Sequence, residues 1–197
     1  MEKEEILEIF RETGAFLEGH FLLTSGLHSP VYIEKFKVLQ FPRYVEILAG
    51  EIAHHFSGEK IDVVAGPAVG GIILAYEVAR QLGVRMAFTE REEGKMVFRR
   101  DFQLKKGDRV LIVEDVVTTG ASVEEVIKAV EGTEAQIVGI GVLVNRGTKK
   151  IPFPYPFYPL LEIEAQTYSP EECPLCQKKI TLQKRGSRYL SQEESRA

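Results

Sequence analysis

Residues 110–122 constrain this chain more than any other stretch. Val110-Leu111-Ile112-Val113 is an unbroken run of branched apolar residues. It does not alternate, so it reads as a strand buried on both faces, as in a parallel sheet. It ends at two adjacent acids, Glu114 and Asp115, and Val116-Val117-Thr118-Thr119-Gly120-Ala121-Ser122 follows. Ser122 with Glu125 three residues on has the form of a capping box, which places the start of a helix there. A loop between a strand end and a helix N-terminus aims several backbone N–H groups at one spot in the positive field of the helix dipole. That is a cradle for a phosphate. Thr118, Thr119 and Ser122 add hydroxyl donors, and Gly120 lets the backbone come close. Carboxylates repel a phosphate, so Glu114 and Asp115 should face sugar hydroxyls or a hydrated magnesium ion. No Gly-Lys-Ser/Thr follows, and two of the three glycines of the dinucleotide fingerprint are missing, so the turn is neither of those loops.

The rest of the chain repeats the alternation of strand and helix. Glu4 to Glu12 carries Ile6, Leu7, Ile9 and Phe10 at helical spacing and stops at Gly14. Phe21–Leu23 and Val31–Ile33 flank a polar loop, as two short strands would. Pro42 opens a helix to about Phe56, with Val45, Leu48, Ala49 and Ile52 on one face. Strands are expected at Asp62–Ala65, Met86–Phe88 and Gln136–Val144, with a helix from the Gly66–Gly71 turn to about Leu82. This order predicts an α/β fold, a Rossmann-like parallel sheet with helices on both faces. Ligands of such sheets bind at the carboxyl ends of the strands. Gly66–Gly71, Thr89–Arg100, Glu114–Ser122 and Asn145-Arg146 all fall there. Arg146, at the end of an otherwise apolar strand, could hold a planar carboxylate through two parallel hydrogen bonds or simply face solvent. The charged stretch from Thr89 to Asp101 is either a solvated hairpin with weak ion pairs or a mobile lid.

At 197 residues and a net charge of −4, the chain suits one domain with a substantial core, and broad nucleic-acid binding is not expected. No apolar run reaches membrane-spanning length and Met1-Glu2-Lys3-Glu4-Glu5 is unlike a signal peptide, so no membrane partner and a cytoplasmic location are expected. Residues 151–159 carry proline at nearly every second position and should run extended on an edge. Leu160–Ala165 reads as a strand. Ser169-Pro170-Glu171-Glu172 reads as a capping box opening a short helix.

The segment from Val110 to Ser122 resembles the signature of the type I phosphoribosyltransferases: apolar strand, two acids, two apolar residues, then Thr-x-Gly-x-Ser/Thr. Ser25-Gly26 and Ser29-Pro30-Val31-Tyr32-Ile33 resemble the N-terminal region of the orotate phosphoribosyltransferase branch. The resemblance continues through Gly66–Gly71, Asn145-Arg146 and the proline-rich segment. It implies transfer of a phosphoribosyl group from 5-phosphoribosyl-1-diphosphate (PRPP) to orotate, with Mg2+ held mainly by PRPP and water rather than by protein ligands. It assigns PRPP to Glu114, Asp115, Val116, Val117, Thr118, Thr119, Gly120, Ala121 and Ser122, with Val69, Gly70, Arg91 and Lys95 on the diphosphate. Glu114, Asp115, Lys95 and Arg91 become the catalytic set. Orotate falls to Thr118, Arg146, Tyr32 and Ile33. It further implies one domain over 1–185, with a core at about 42–150, a hood from about 1–36 and 151–180, a disordered tail at 186–197, and a homodimer sharing the lid loop. The family often has lysine where this chain has Thr24 and Gly70, and a loop histidine where none follows His55. The rival readings are a purine phosphoribosyltransferase and a PRPP-sensing regulator of the same fold.

Cys173 and Cys176 are the only cysteines, as Cys-Pro-Leu-Cys. That spacing is half a structural zinc site. No second pair exists and no histidine is near in sequence, so two reduced thiols in a C-terminal turn are expected. Four thiolates across a dimer axis are the alternative.

Overall fold

The computed structural model describes residues 1–23, 25–147, 153–164 and 166–185. Its elements run α1 (Lys3–Glu12), β1 (Phe16–Leu22), β2 (His28–Ile33), α2 (Lys35–Leu39), α3 (Pro42–His55), β3 (Val63–Pro67), α4 (Gly70–Leu82), β4 (Arg85–Glu92), β5 (Lys95–Phe98), β6 (Arg109–Val117), α5 (Ala121–Glu131), β7 (Gln136–Asn145), β8 (Phe157–Glu162), α6 (Pro174–Gln177) and β9 (Gln183–Lys184). Six strands form the main sheet in the order β5-β4-β3-β6-β7-β8, parallel except for β5. A second sheet, β2-β1-β9, holds the N-terminal hairpin expected above in the hood, joined by a strand that lies just beyond the bounds given for it.

The sheet separates two cores, because successive side chains on a strand point to opposite faces. Val64, Leu111, Val113 and Leu143 pack with α1, α3 and α4. Val63, Ala65, Val110, Ile112, Ile140 and Val142 pack with α5. Strands buried on both faces explain the absence of alternation in their sequences. Pro42 does open α3, and Val45, Leu48, Ala49 and Ile52 are its buried face. The close fit of α4 on the sheet needs glycine: a Cβ at Gly66 would stand 2.6 Å from the Gly71 carbonyl oxygen.

Several expectations change. β6 runs on through both acids to Val117, paired with β7 as far as Asn145, so Val116 and Val117 are strand residues and the loop is only Thr118–Gly120. The α5 N-cap is Gly120, in the left-handed region at φ 85°, and not Ser122. Glu125 is drawn to Arg91 instead of back to the helix start. α2 has no counterpart in the sequence reading; five residues are too few for periodicity to show. Phe157–Glu162, grouped above with the hood, is the edge strand β8 of the main sheet. It tolerates Pro159 because one side of an edge strand lacks partners. Ser169–Glu172 is a turn, with the Ser169 hydroxyl accepting from the Glu172 N–H at 3.3 Å; it is Pro174 that opens α6. The tail at 186–197, Thr24, Ala165 and residues 151–152 of the proline-rich segment lie outside the described residues.

Candidate active site

The carboxyl ends of β3, β6 and β7 bring the site together. Glu114 and Asp115, adjacent on β6, leave the strand on opposite faces. Both are buried, at 6% and 1% exposure. Glu114 lines a cleft of 60 Å³ with Val116, Val117, Thr118, Thr119, Gly120, Ala121, Ser122 and Val123. The cleft, at the place where the sequence leads one to expect a phosphate cradle, is roofed by the first turn of α5, whose leading N–H groups have no partner within the helix. Thr118, Thr119, Ala121 and Ser122 are exposed around it. Burial, and then the neighbouring Asp115, push the Glu114 carboxyl well above the usual range.

Asp115 turns to the other face, toward α2 and α4. Lys35 Nζ lies 2.9 Å from its Oδ1 and 2.8 Å from its Oδ2. Burial alone would lower the lysine's pKa, but Asp115 outweighs it and the net shift is upward. Gly70, first residue of α4, has its backbone against Asp115; a Cβ there would fall on Oδ2. A side chain at Gly70 would therefore displace the Asp115 carboxylate. Val69 beside it is 66% exposed, so the α4 N-terminus and the Lys35–Asp115 pair share one corner. The cleft beside Glu114 and this corner lie on either side of the end of β6.

Arg146 follows β7, its N–H donating to the Val117 carbonyl at 2.7 Å. Its side chain reaches into the hood, where Nη2 donates to the Val31 carbonyl at 3.0 Å. The guanidinium lies 5.8 Å from the Tyr32 ring centroid. Burial lowers its pKa, and its buried Nε has no partner among the described residues. Ile33 is a correction: at 4% exposure it belongs to the core, since it points away from the face that carries Tyr32. Thr118 lines the cleft beside Glu114.

The stretch read as a lid is the hairpin β4–β5, turning at Glu93-Gly94. Arg91 pairs with Glu125 of α5 at 2.6 Å, Arg100 with Glu90 at 2.9 Å and Arg99 with Glu92 at 3.6 Å. Lys95 is exposed at the tip. A larger hollow of 430 Å³ beside Arg85, Met86 and Phe102 lies at the amino ends of the strands, far from both acids.

Sequence reading missed Lys35. A lone lysine after a short strand carries no signal, and only the fold sets it against Asp115.

The model of the phosphoribosyl transferase domain family matches residues 38–175. The chain is 54% identical to the orotate phosphoribosyltransferase of Thermoanaerobacter sp. strain X514 over 95% of its own length and 99% of the relative's. It is 53% identical to that of Caldanaerobacter subterraneus over 96% of its length and all of the relative's. The crystal structure of orotate phosphoribosyltransferase from Aeropyrum pernix superposes with a TM-score of 0.70 at 25% identity, covering 81% of this chain and 94% of that one. The signature read from residues 110–122 and the fold built around it agree with these likenesses: the chain belongs to the phosphoribosyl transferase domain family, in its orotate phosphoribosyltransferase branch.

Proposed function

We propose that PRPP lies across the end of β6, with its 5′-phosphate in the Thr118–Ser122 cradle and its diphosphate at the Val69–Gly70 corner. The ribose then sits over the strand end, between the two acids. Glu114 meets it from the cradle side and Asp115 from the side of Lys35. Orotate docks between Arg146 and Tyr32, its carboxylate on the guanidinium and its ring nitrogen facing C1′. The observation that carries this reading is the buried, unpartnered Nε of Arg146. A buried donor without an acceptor costs free energy that a bound carboxylate would recover.

The reaction breaks the anomeric C–O bond and leaves an oxocarbenium-like sugar. Two carboxylates close to that centre favour positive charge on it. Anchoring at phosphate, diphosphate and base aligns the ring nitrogen with C1′, which removes much of the entropic barrier. Arg91 and Lys95 close from the hairpin onto the departing diphosphate, Arg91 exchanging Glu125 for it.

A magnesium ion fits as a hydrated ion carried by the substrate. Among the described residues neither acid belongs to a cluster of three ligands, and Asp115 is taken up by Lys35, so Glu114 would hold the ion through water. When bound, it supplies charge neutralisation to the diphosphate.

We assign the chain to the cytoplasm; no helix among the described residues is long and apolar enough to cross a membrane. A homodimer with hairpins exchanged between sites is part of the proposal. Mixing an Asp115→Asn chain with a Lys95→Ala chain should restore activity in a verified heterodimer, and no rescue would mean self-contained sites. Orotate consumption followed by absorbance, with PRPP and Mg2+, tests the central reading. Turnover of a purine base but not of orotate would sink it.

A further inference from the structure

We propose that His20, His28, Cys173 and Cys176 form a tetrahedral zinc site that clamps the hood to the C-terminal segment. Their ligand atoms all lie within 4.8 Å of one another. His20 Nε2 is 2.9 Å from His28 Nδ1, 3.5 Å from Cys173 Sγ and 3.7 Å from Cys176 Sγ, and Cys176 Sγ is 3.4 Å from His28 Nδ1. Zinc bonds of about 2.0–2.1 Å to nitrogen and 2.3 Å to sulfur, at tetrahedral angles, set ligand atoms roughly 3.3–3.8 Å apart. Four of the six separations fall between 2.9 and 3.7 Å and the rest stay within 4.8 Å, so a small contraction around an ion gives that geometry.

A hydrogen-bonded quartet explains the arrangement less well. His20 Nδ1 lies 2.8 Å from the Ile180 carbonyl oxygen, an acceptor only, so Nδ1 carries the hydrogen and Nε2 keeps a lone pair. That single lone pair faces three other ligand atoms at once. One cation at their centre serves all four. The carbonyl is also the partner that usually fixes the tautomer of a metal-bound histidine. Two thiolates with two imidazoles on a tetrahedron select zinc. Binding requires both thiols to ionise, and their protons go to solvent.

The four residues come from three places. Cys173 and Cys176 flank the start of α6, which Pro174 opens. His20 lies on β1 where its register with β2 shifts between Glu18 and Phe21. His28 opens β2 and is bridged to Tyr168. His20, His28 and Cys173 are buried, while Cys176 is exposed and leaves a route for the ion. The missing half of the Cys-x2-Cys motif is thus two histidines of the same chain, and no dimer axis is needed. β2 also carries Val31 and Tyr32, so the clamp would stiffen the hood wall of the base pocket.

The test uses the full-length chain, purified without a histidine tag. Zinc is measured by mass spectrometry, and Co2+ replaces it as a spectroscopic probe. About one equivalent of zinc per chain is expected, with thiolate-to-cobalt charge transfer and the visible bands of tetrahedral Co2+. Chelation should lower Tm and raise the KM for orotate more than that for PRPP. Cys176→Ser, at the exposed position, should lose the charge-transfer intensity in part, and a Cys173→Ser/Cys176→Ser chain should lose the metal. A folded wild-type chain that takes up neither ion overturns the proposal, whatever the variants do. Metal retained in full by the double variant overturns it too, as does a Cys173–Cys176 disulfide in chain purified under reducing conditions.

Discussion

The phosphate cradle and the base pocket proposed above are built in opposite ways. The cradle takes its lining from one stretch, Glu114 and Val116–Val123, at the N-terminus of α5, where backbone N–H groups are free to bind. The base pocket depends on single side chains brought from far apart, since Arg146 meets Val31 and Tyr32 across more than a hundred residues; the diphosphate corner is alike in this, since Lys35 meets Asp115 across eighty. A site made of local backbone should bend under mutation. A site made of isolated distant side chains should break.

The sharpest way to break this contrast is Arg146→Ala. Orotate turnover should fall roughly 100- to 1,000-fold, the loss typical of one aligned donor removed from a closed site, and the absorbance assay reads it directly. Unchanged turnover would show that the guanidinium does not hold the base. Lys35→Ala comes next. It leaves Asp115 buried without its cation, and since Lys35 is itself a third exposed the expected cost is about 2 kcal/mol in urea unfolding.

Glu114→Gln separates stability from function. The folded-state pKa of Glu114 is raised. Its folded form therefore favours the proton, and the stability this contributes is complete below the ordinary glutamate value. It drains away as pH rises through the raised one. Urea midpoints measured from acid to neutral pH should decline less in the Gln chain than in the wild type, while its turnover drops. A parallel pair of curves would place the acid in a more solvated setting than the fold gives it.

Thr119→Ala probes the cradle. The backbone donors remain, so a loss of tenfold or less in kcat/KM for PRPP is expected, about the worth of one hydrogen bond. A loss matching that of Arg146→Ala would erase the contrast between the two sites. The smallest effect on the fold belongs to Arg91→Ala: its pair with Glu125 is exposed, and unfolding should change by no more than about 0.5 kcal/mol. A rise in KM for PRPP without a change in stability would place Arg91 on the diphosphate.

Much of this was legible in residue order. Branched apolar runs announced the buried strands, Pro42 announced the start of α3, and the two acids before Thr-x-Gly-x-Ser announced the family. Errors gathered where a local rule met a stronger partner. Ser122 and Glu125 have capping-box spacing, but Gly120 already occupies the cap and Arg91 takes the glutamate. Ile33 neighbours Tyr32 in the hood motif, yet strand alternation sends it to the core.

The sequence by itself determined the sheet, the strand–turn–helix after the two acids and the kind of chemistry, because hydrophobic period and helix-terminus geometry act within a few residues of chain. Only the tertiary structure decided that Lys35 guards Asp115, that Gly70 packs directly against that acid, and that two histidines of the first hairpin meet two cysteines near the C-terminus. Those contacts join segments that no local spacing relates, and packing alone sets them side by side.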